Sequence, residues 1–185
     1  MADKIGIIVD GPGDYASLKE RFKDLYKIAK TDGPRGHTAK IENIVSASRK
    51  QIEMLKAFKC NRVILLLDFE SRDIPYDEFI NLINDKLSKE NFGIYVVACS
   101  PNQMIENWYL ADIEEISQKR NYIKSNLQQK KYEGTHGKNE LKKLIENNYS
   151  YNEVKHGPQL FATIRFEVAR NNSPSLKNFL NELGI

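Results

Sequence analysis

The stretch RVILLLDFE, residues 62–70, constrains the fold more than any other part of the chain. Its apolar residues run unbroken from Val63 to Leu67. A strand with one wet face alternates apolar and polar residues, whereas an unbroken run belongs to a strand covered on both faces, as in a parallel sheet flanked by helices. Two further runs share this character: KIGIIV (4–9), which stops at Asp10 and the turn GPGD, and FGIYVVAC (92–99). Helical spacing separates them. Such alternation predicts an α/β fold with a mainly parallel sheet, right-handed crossovers and one domain.

Between the first runs, Leu18, Phe22, Leu25 and Ala29 recur at helical spacing, so a helix is expected from Asp14, as its cap, to about Lys30, where TDGPRG breaks it. Residues 38–45 (TAKIENIV) form a weaker strand candidate. Ser46 then offers an N-cap for a helix burying Ile52, Leu55 and Phe58. After the central run, Phe79, Leu82, Ile83 and Leu87 mark another helix face. Beyond residue 100 the pattern is helical: helices through Ile105, Tyr109 and the segment to Lys131, a loop at EGTHG, a short helix with Leu141, Leu144 and Ile145, and a last one opened by Ser173-Pro174 and stopped by Gly184. These helices are expected to elaborate the sheet rather than form a second unit.

With 41% hydrophobic and 29% charged residues in 185, the chain has enough apolar material for one core and no signature of disorder. No apolar run approaches the roughly 20 residues needed to span a bilayer, and MADKIGIIVD lacks a secretory pattern, so a cytoplasmic protein without membrane contact is expected. Cys60 and Cys99 have no metal-ligand spacing and read as small buried residues. A net charge of +3 does not by itself indicate nucleic acid. The run Lys119–Lys143, with Tyr122 and Tyr132 interleaved, reads first as a solvated helical face and second as a phosphate-tracking surface.

Ligands of open parallel sheets sit beyond the carboxyl ends of the strands. That rule collects Asp10, Asp68 and Glu70 on one edge, the latter two on the same side if the strand geometry continues. Clustered hard oxygen ligands suit Mg²⁺ or Mn²⁺, which activate water and neutralise a phosphodiester. The same acids also fit helix caps or loop entries.

The order strand, acid, helix, strand, helix, strand ending in two spaced acids resembles the Toprim domain of topoisomerases, primases and OLD nucleases over about residues 4–100. Its first motif, Glu-Gly, is matched by Asp10-Gly11, and its Asp-x-Asp by Asp68-Phe69-Glu70; both changes keep a carboxylate and alter its reach by a methylene. The resemblance implies a general acid or base at Asp10 and metal ligation by Asp68 and Glu70. CSPNQMIENWYLADI, YNEVKHGPQLFATI and SPSLKNFLNEL are similar to segments of small stand-alone RloB-related Toprim-like proteins of bacterial defence neighbourhoods. That likeness nominates Glu106 as a further acid. Lys155 and His156 are candidates for reaching a substrate phosphate, and His136 in GTHGK is read as part of a turn because P-loop spacing is missing.

Three functions are compatible with these residues. One is a Mg²⁺- or Mn²⁺-dependent nuclease or other phosphoryl-transfer enzyme acting on nucleic acid, including an anti-phage effector with a partner protein. Another is a catalytically inactive Toprim-like module binding nucleic acid or a partner. The third is a nucleotide-processing or primase-like enzyme.

Overall fold

A computed structural model describes residues 4–34 and 36–185. Arg35, inside the expected TDGPRG break, and the first three residues lie outside the described residues. The first strand, β1 (Ile5–Val9), is followed by α1 (Pro12–Phe22), β2 (Lys27–Lys30), α2 (Ile41–Ala57), β3 (Arg62–Leu66), α3 (Tyr76–Lys89) and β4 (Tyr95–Cys99). The sheet is wholly parallel in the order β2-β1-β3-β4, with Val9 opposite Leu66 and Leu66 opposite Cys99. The chain therefore leaves β1 to one side for β2 and crosses back to the other side for β3. This reversal makes the carboxyl ends of β1 and β3 the switch point of the sheet, where loops diverge and leave a crevice.

Side-chain alternation along the strands divides the core in two. Ile5, Ile7, Val9, Ile64 and Leu66 face a large cluster shared with α1 and the C-terminal helices, while Ile8, Val63, Leu65, Leu67 and Phe69 face α2 and α3. The C-terminal elaboration comprises α4 (Glu106–Leu110), α5 (Ile113–Lys119), α6 (Gly137–Leu144), α7 (Glu153–Thr163), α8 (Phe166–Asn172) and α9 (Pro174–Leu183). Trp108, fully buried, stacks on Phe179 of α9 with ring centroids 4.9 Å apart and donates its indole N–H to Ser175 Oγ at 2.8 Å. The last helix obeys its sequence signals: Ser173 Oγ accepts Leu176 N–H, Pro174 opens the helix, and Gly184 closes it at φ +75°. Both cysteines are buried, and among the described residues no helix is long and apolar enough to cross a membrane.

Local expectations fail in several places, and Leu82, expected on the same face of α3 as Phe79, Ile83 and Leu87, is 43% exposed. Helix α1 ends at Phe22, and Lys27–Lys30 is a strand rather than the tail of that helix. Leu25, 67% exposed, belongs to the turn, and an edge strand flanked by lysines imitates helical spacing once Leu25 is counted as core. Residues 41–45 open α2 instead of forming a strand: Ile41, Ile44 and Val45 pack on the α2–α3 side at helical intervals, so Ser46 lies inside the helix and is not its cap. Phe58, expected in the core, is 53% exposed. Finally, the basic run is not one helical face: Lys119 ends α5 and Lys138, Lys142 and Lys143 lie on α6, but the residues between are not helical. Helix α5 stops at Lys119, and the chain then runs irregularly to His136, held by the Ile123–Ile145 bridge and by Arg120, which donates to Thr163 Oγ1 and to the Gln159 carbonyl, each at 2.8 Å.

Candidate active site

A cavity of about 140 Å³ opens at the switch point, lined by Asp10, Asp14, Asp68, Glu70, Glu106 and Glu153 together with Tyr109, Tyr151 and Lys138. Asp10 sits one residue past β1. Gly11 and Pro12 then turn the chain so abruptly into α1 that Asp14, expected to cap the helix, lies in its first turn and caps nothing. Its carboxylate folds back over Gly11, where a Cβ would lie 2.5 Å from Asp14 Oδ2, and it shares a hydrogen bond with Asp10.

Asp68 keeps the parity of Ile64 and Leu66 and so faces the α1 side of the sheet. It accepts the Ile105 N–H at 3.1 Å, which ties the loop after β4 to the end of β3. The extended geometry assumed for Glu70 stops there: Glu70 and Ser71 adopt φ +52° and +53°, and the Glu70 N–H is given to the Gln103 carbonyl. Glu70 consequently stands at the rim, with Oε2 3.2 Å from where a Cβ on Gly36 would be.

Glu106, the first residue of α4, is 2% exposed and accepts the Tyr151 hydroxyl at 2.9 Å. Beneath it, the Tyr109 hydroxyl shares a hydrogen with Ser17 Oγ at 2.8 Å, and Gly157 lets α7 approach because a Cβ there would lie 2.8 Å from the same Ser17 oxygen. Lys138 enters from α6 and pairs with Glu153 at 2.7 Å. The turn at GTHGK aims it: Asn107 Nδ2 donates to the Tyr132 and Thr135 carbonyls, and Gly137 lies so close that a Cβ would be 2.7 Å from the Asn107 backbone nitrogen.

Burial and mutual repulsion act on these acids together. Asp14 is held well above the usual carboxylate range by burial, then by Asp10 and Glu106, and Asp68 likewise by burial, then by Asp14, Asp10, Glu106 and Glu70. Burial also raises Glu106, although Lys138 and Tyr151 pull the other way. For Lys138, burial lowers the pKa, but the bond to Glu153 and the charge of Glu106 carry it above the ordinary value.

Asp10, Asp68, Glu70 and Glu106 are thus brought together; Lys155 and His156 are not among the residues lining the cavity. Lys155 is exposed on α7. His156 is buried, accepts the Asn152 N–H at Nδ1, 2.9 Å away, and is lowered in pKa by burial. Sequence reasoning missed Asp14, Lys138, Tyr151 and Glu153. Gly11 and Gly137, each crowded by a neighbour's polar atoms, were the available signals for the first two.

Among the described residues no group of three or more His, Cys, Asp or Glu side chains stands ready to hold a metal ion. The donor set fits one all the same: hard carboxylate oxygens, an excess of negative charge, and room for a cation that retains several waters.

Fold and site together define an α/β protein with an acid-walled cavity at the switch point of a parallel sheet. The family pattern matching residues 7–184 is described as a domain of unknown function (DUF4276), and the chain belongs to that family. No curated protein and no solved structure matches it.

Proposed function

We propose that the chain is a metal-dependent phosphoryl-transfer enzyme acting on nucleic acid, of the nuclease type. The observation that carries this reading is the meeting of Asp10, Asp14, Asp68 and Glu106 in one cavity, with Glu70 at the rim and Lys138 on the wall. Acids that repel one another cost stability, and a bound cation offsets that cost. Asp68, Glu70 and Asp10 would hold Mg²⁺ or Mn²⁺, which when bound supplies charge neutralisation on a phosphodiester and an acidified water.

The remaining steps belong to the chain's own groups. Asp10, linked to Asp14 by a hydrogen bond, accepts the proton of the attacking water. Glu106, its pKa raised by burial, returns a proton to the leaving oxygen while Tyr151 fixes its orientation. Lys138 exchanges its bond to Glu153 for one to a substrate phosphate. The Toprim resemblance supports the same assignment, and its RloB-related branch extends it to an anti-phage effector working with a partner protein. An inactive module that binds nucleic acid or a partner shares the fold but leaves the self-repelling acids without a task.

Incubation of the protein and its Asp68→Asn variant with mixed DNA and RNA across Mg²⁺ and Mn²⁺ tests the proposal. Metal-dependent cleavage absent from the variant is the expected result. Wild-type protein that binds nucleic acid but neither cleaves it nor responds to metal would establish the inactive module instead.

A further inference from the structure

A hollow larger than the acid cavity lies away from the acids, beside the edge strand β2. It encloses about 530 Å³ between α1 and α2 and is lined by Tyr15, Ile28, Ala29, Lys30, Gln51 and Met54, with Lys50 at its mouth. Strand β2 ends the sheet order, and no strand pairs with its outer edge among the described residues. The Thr31 N–H goes inward to the Val9 carbonyl at 2.8 Å. In a parallel ladder successive residues alternate direction, so the backbone groups of Ile28 and Lys30 point outward.

Gln51 marks this edge as unfinished. Its side-chain N–H reaches the Lys30 carbonyl at 3.4 Å, while its Oε1, in a residue only 7% exposed, is buried without a hydrogen-bond partner. A donor is missing beside an open strand edge, and the N–H of another strand laid along β2 would supply it.

The charge around the hollow identifies the occupant. Lys30 and Lys50 line it, and Lys19, Lys23 and Lys27 line the adjoining depression beside Tyr26. All the charged residues lining both depressions are lysines, and none of these five forms an ion pair among the described residues. A second copy of this chain would set lysines against lysines, which guards the edge against self-pairing. We propose that this edge receives an extended segment of a partner protein in which apolar and acidic residues alternate, adding a strand beside β2 while its acids meet the lysine rim. The inference is independent of the acid cavity.

The test uses fluorescein-labelled synthetic peptides of alternating valine and glutamate, with a valine–lysine peptide and single-stranded oligothymidine as the other probes. Anisotropy should report binding of the valine–glutamate peptide alone. Hydrogen exchange should slow at the Ile28 and Lys30 amides. Lys30→Glu combined with Lys50→Glu should weaken binding about tenfold or more. Ile28→Pro removes an outward N–H together with a side chain packed on the core, so it is compared with Ile28→Ala, which loses the packing alone; the proline should weaken binding about tenfold or more beyond the alanine. Failure of the peptide to bind, or binding indifferent to both the charge reversal and the proline, overturns the proposal. So does oligothymidine binding that the charge reversal abolishes, which would make the edge a nucleic-acid surface. Protection that grows with protein concentration in the absence of peptide would assign it to a second copy.

Discussion

Asp68→Asn separates charge from structure at the centre of the acid cavity. Asp68 Oδ1 accepts the Ile105 N–H, and an Asn carbonyl can accept the same bond, so the loop tie survives while the charge is removed. Two like charges about 6 Å apart at an effective dielectric of about 20 repel by about 3 kcal/mol. Spread over a partly protonated cluster, the relief comes to roughly 1–3 kcal/mol, or a rise of about 2–12 °C in the metal-free Tm for a chain of this size. Mn²⁺ at about one hundred times its Kd stabilises the wild type by about 2.7 kcal/mol, roughly 5–11 °C. The variant, short of a ligand, should gain much less. Differential scanning fluorimetry of both proteins, with chelator and with excess Mn²⁺, should therefore give melting orders that reverse on adding metal. A variant that melts several degrees below wild type without metal, yet gains as much from Mn²⁺, would refute the argument and make Asp68 a structural anchor.

Three further outcomes follow from the same geometry. Because the folded-state pKa values of Asp14 and Asp68 are raised, the native chain holds protons that the unfolded chain has released; metal-free stability should fall as pH rises from the unfolded value of 3.8 through the raised folded values, and thermal melts across that window, with and without Mn²⁺, will read it. Glu106→Gln can still accept the Tyr151 hydroxyl, so the fold should persist while cleavage falls about 10²-fold or more, measured as kcat against KM. Gly137→Ala places a Cβ against the Asn107 backbone nitrogen, an atom that cannot swing aside, and should cost about 1–3 kcal/mol in denaturant unfolding while displacing Lys138.

Much of the site was legible because hydrophobic continuity is a strong local signal. The runs before Asp10 and Asp68 locate two strand ends, and strands covered on both faces place those ends on one edge of a parallel sheet. Glu106 followed from resemblance and from its position after β4. Asp14 was misjudged because an acid in a first helical turn ordinarily serves the helix, and only the three-dimensional crowding at Gly11 shows it turned back over the loop. Strand β2 was misread because an edge strand needs few apolar residues, and its Ile28 and Ala29 fit either period. Lys138, Tyr151 and Glu153 could not be assigned from spacing, since they reach the cavity through the docking of α6 and α7 far along the chain. The lysine-rich run misled for a related reason: its composition suits a solvated helix, but the Arg120 side chain, bonded to Gln159 and Thr163, and the Lys124 N–H, bonded to the Leu144 carbonyl, hold the stretch before α6 in irregular form.

The packing of α7 against α1 also sets when the site comes into existence. Gly13, Ser17 and Gly157 let the two helices approach closely, and this contact joins residues separated by most of the chain. During synthesis the strands and the acids that end them leave the ribosome well before Tyr151 and Glu153. A nascent chain halted before Tyr151 carries Asp10, Asp68 and Glu106 but lacks the wall that seals the chamber and steadies Glu106. Such late closure through long-range contacts makes the enclosed chamber a property of the nearly finished polypeptide, and truncated translation products carry the acids without it.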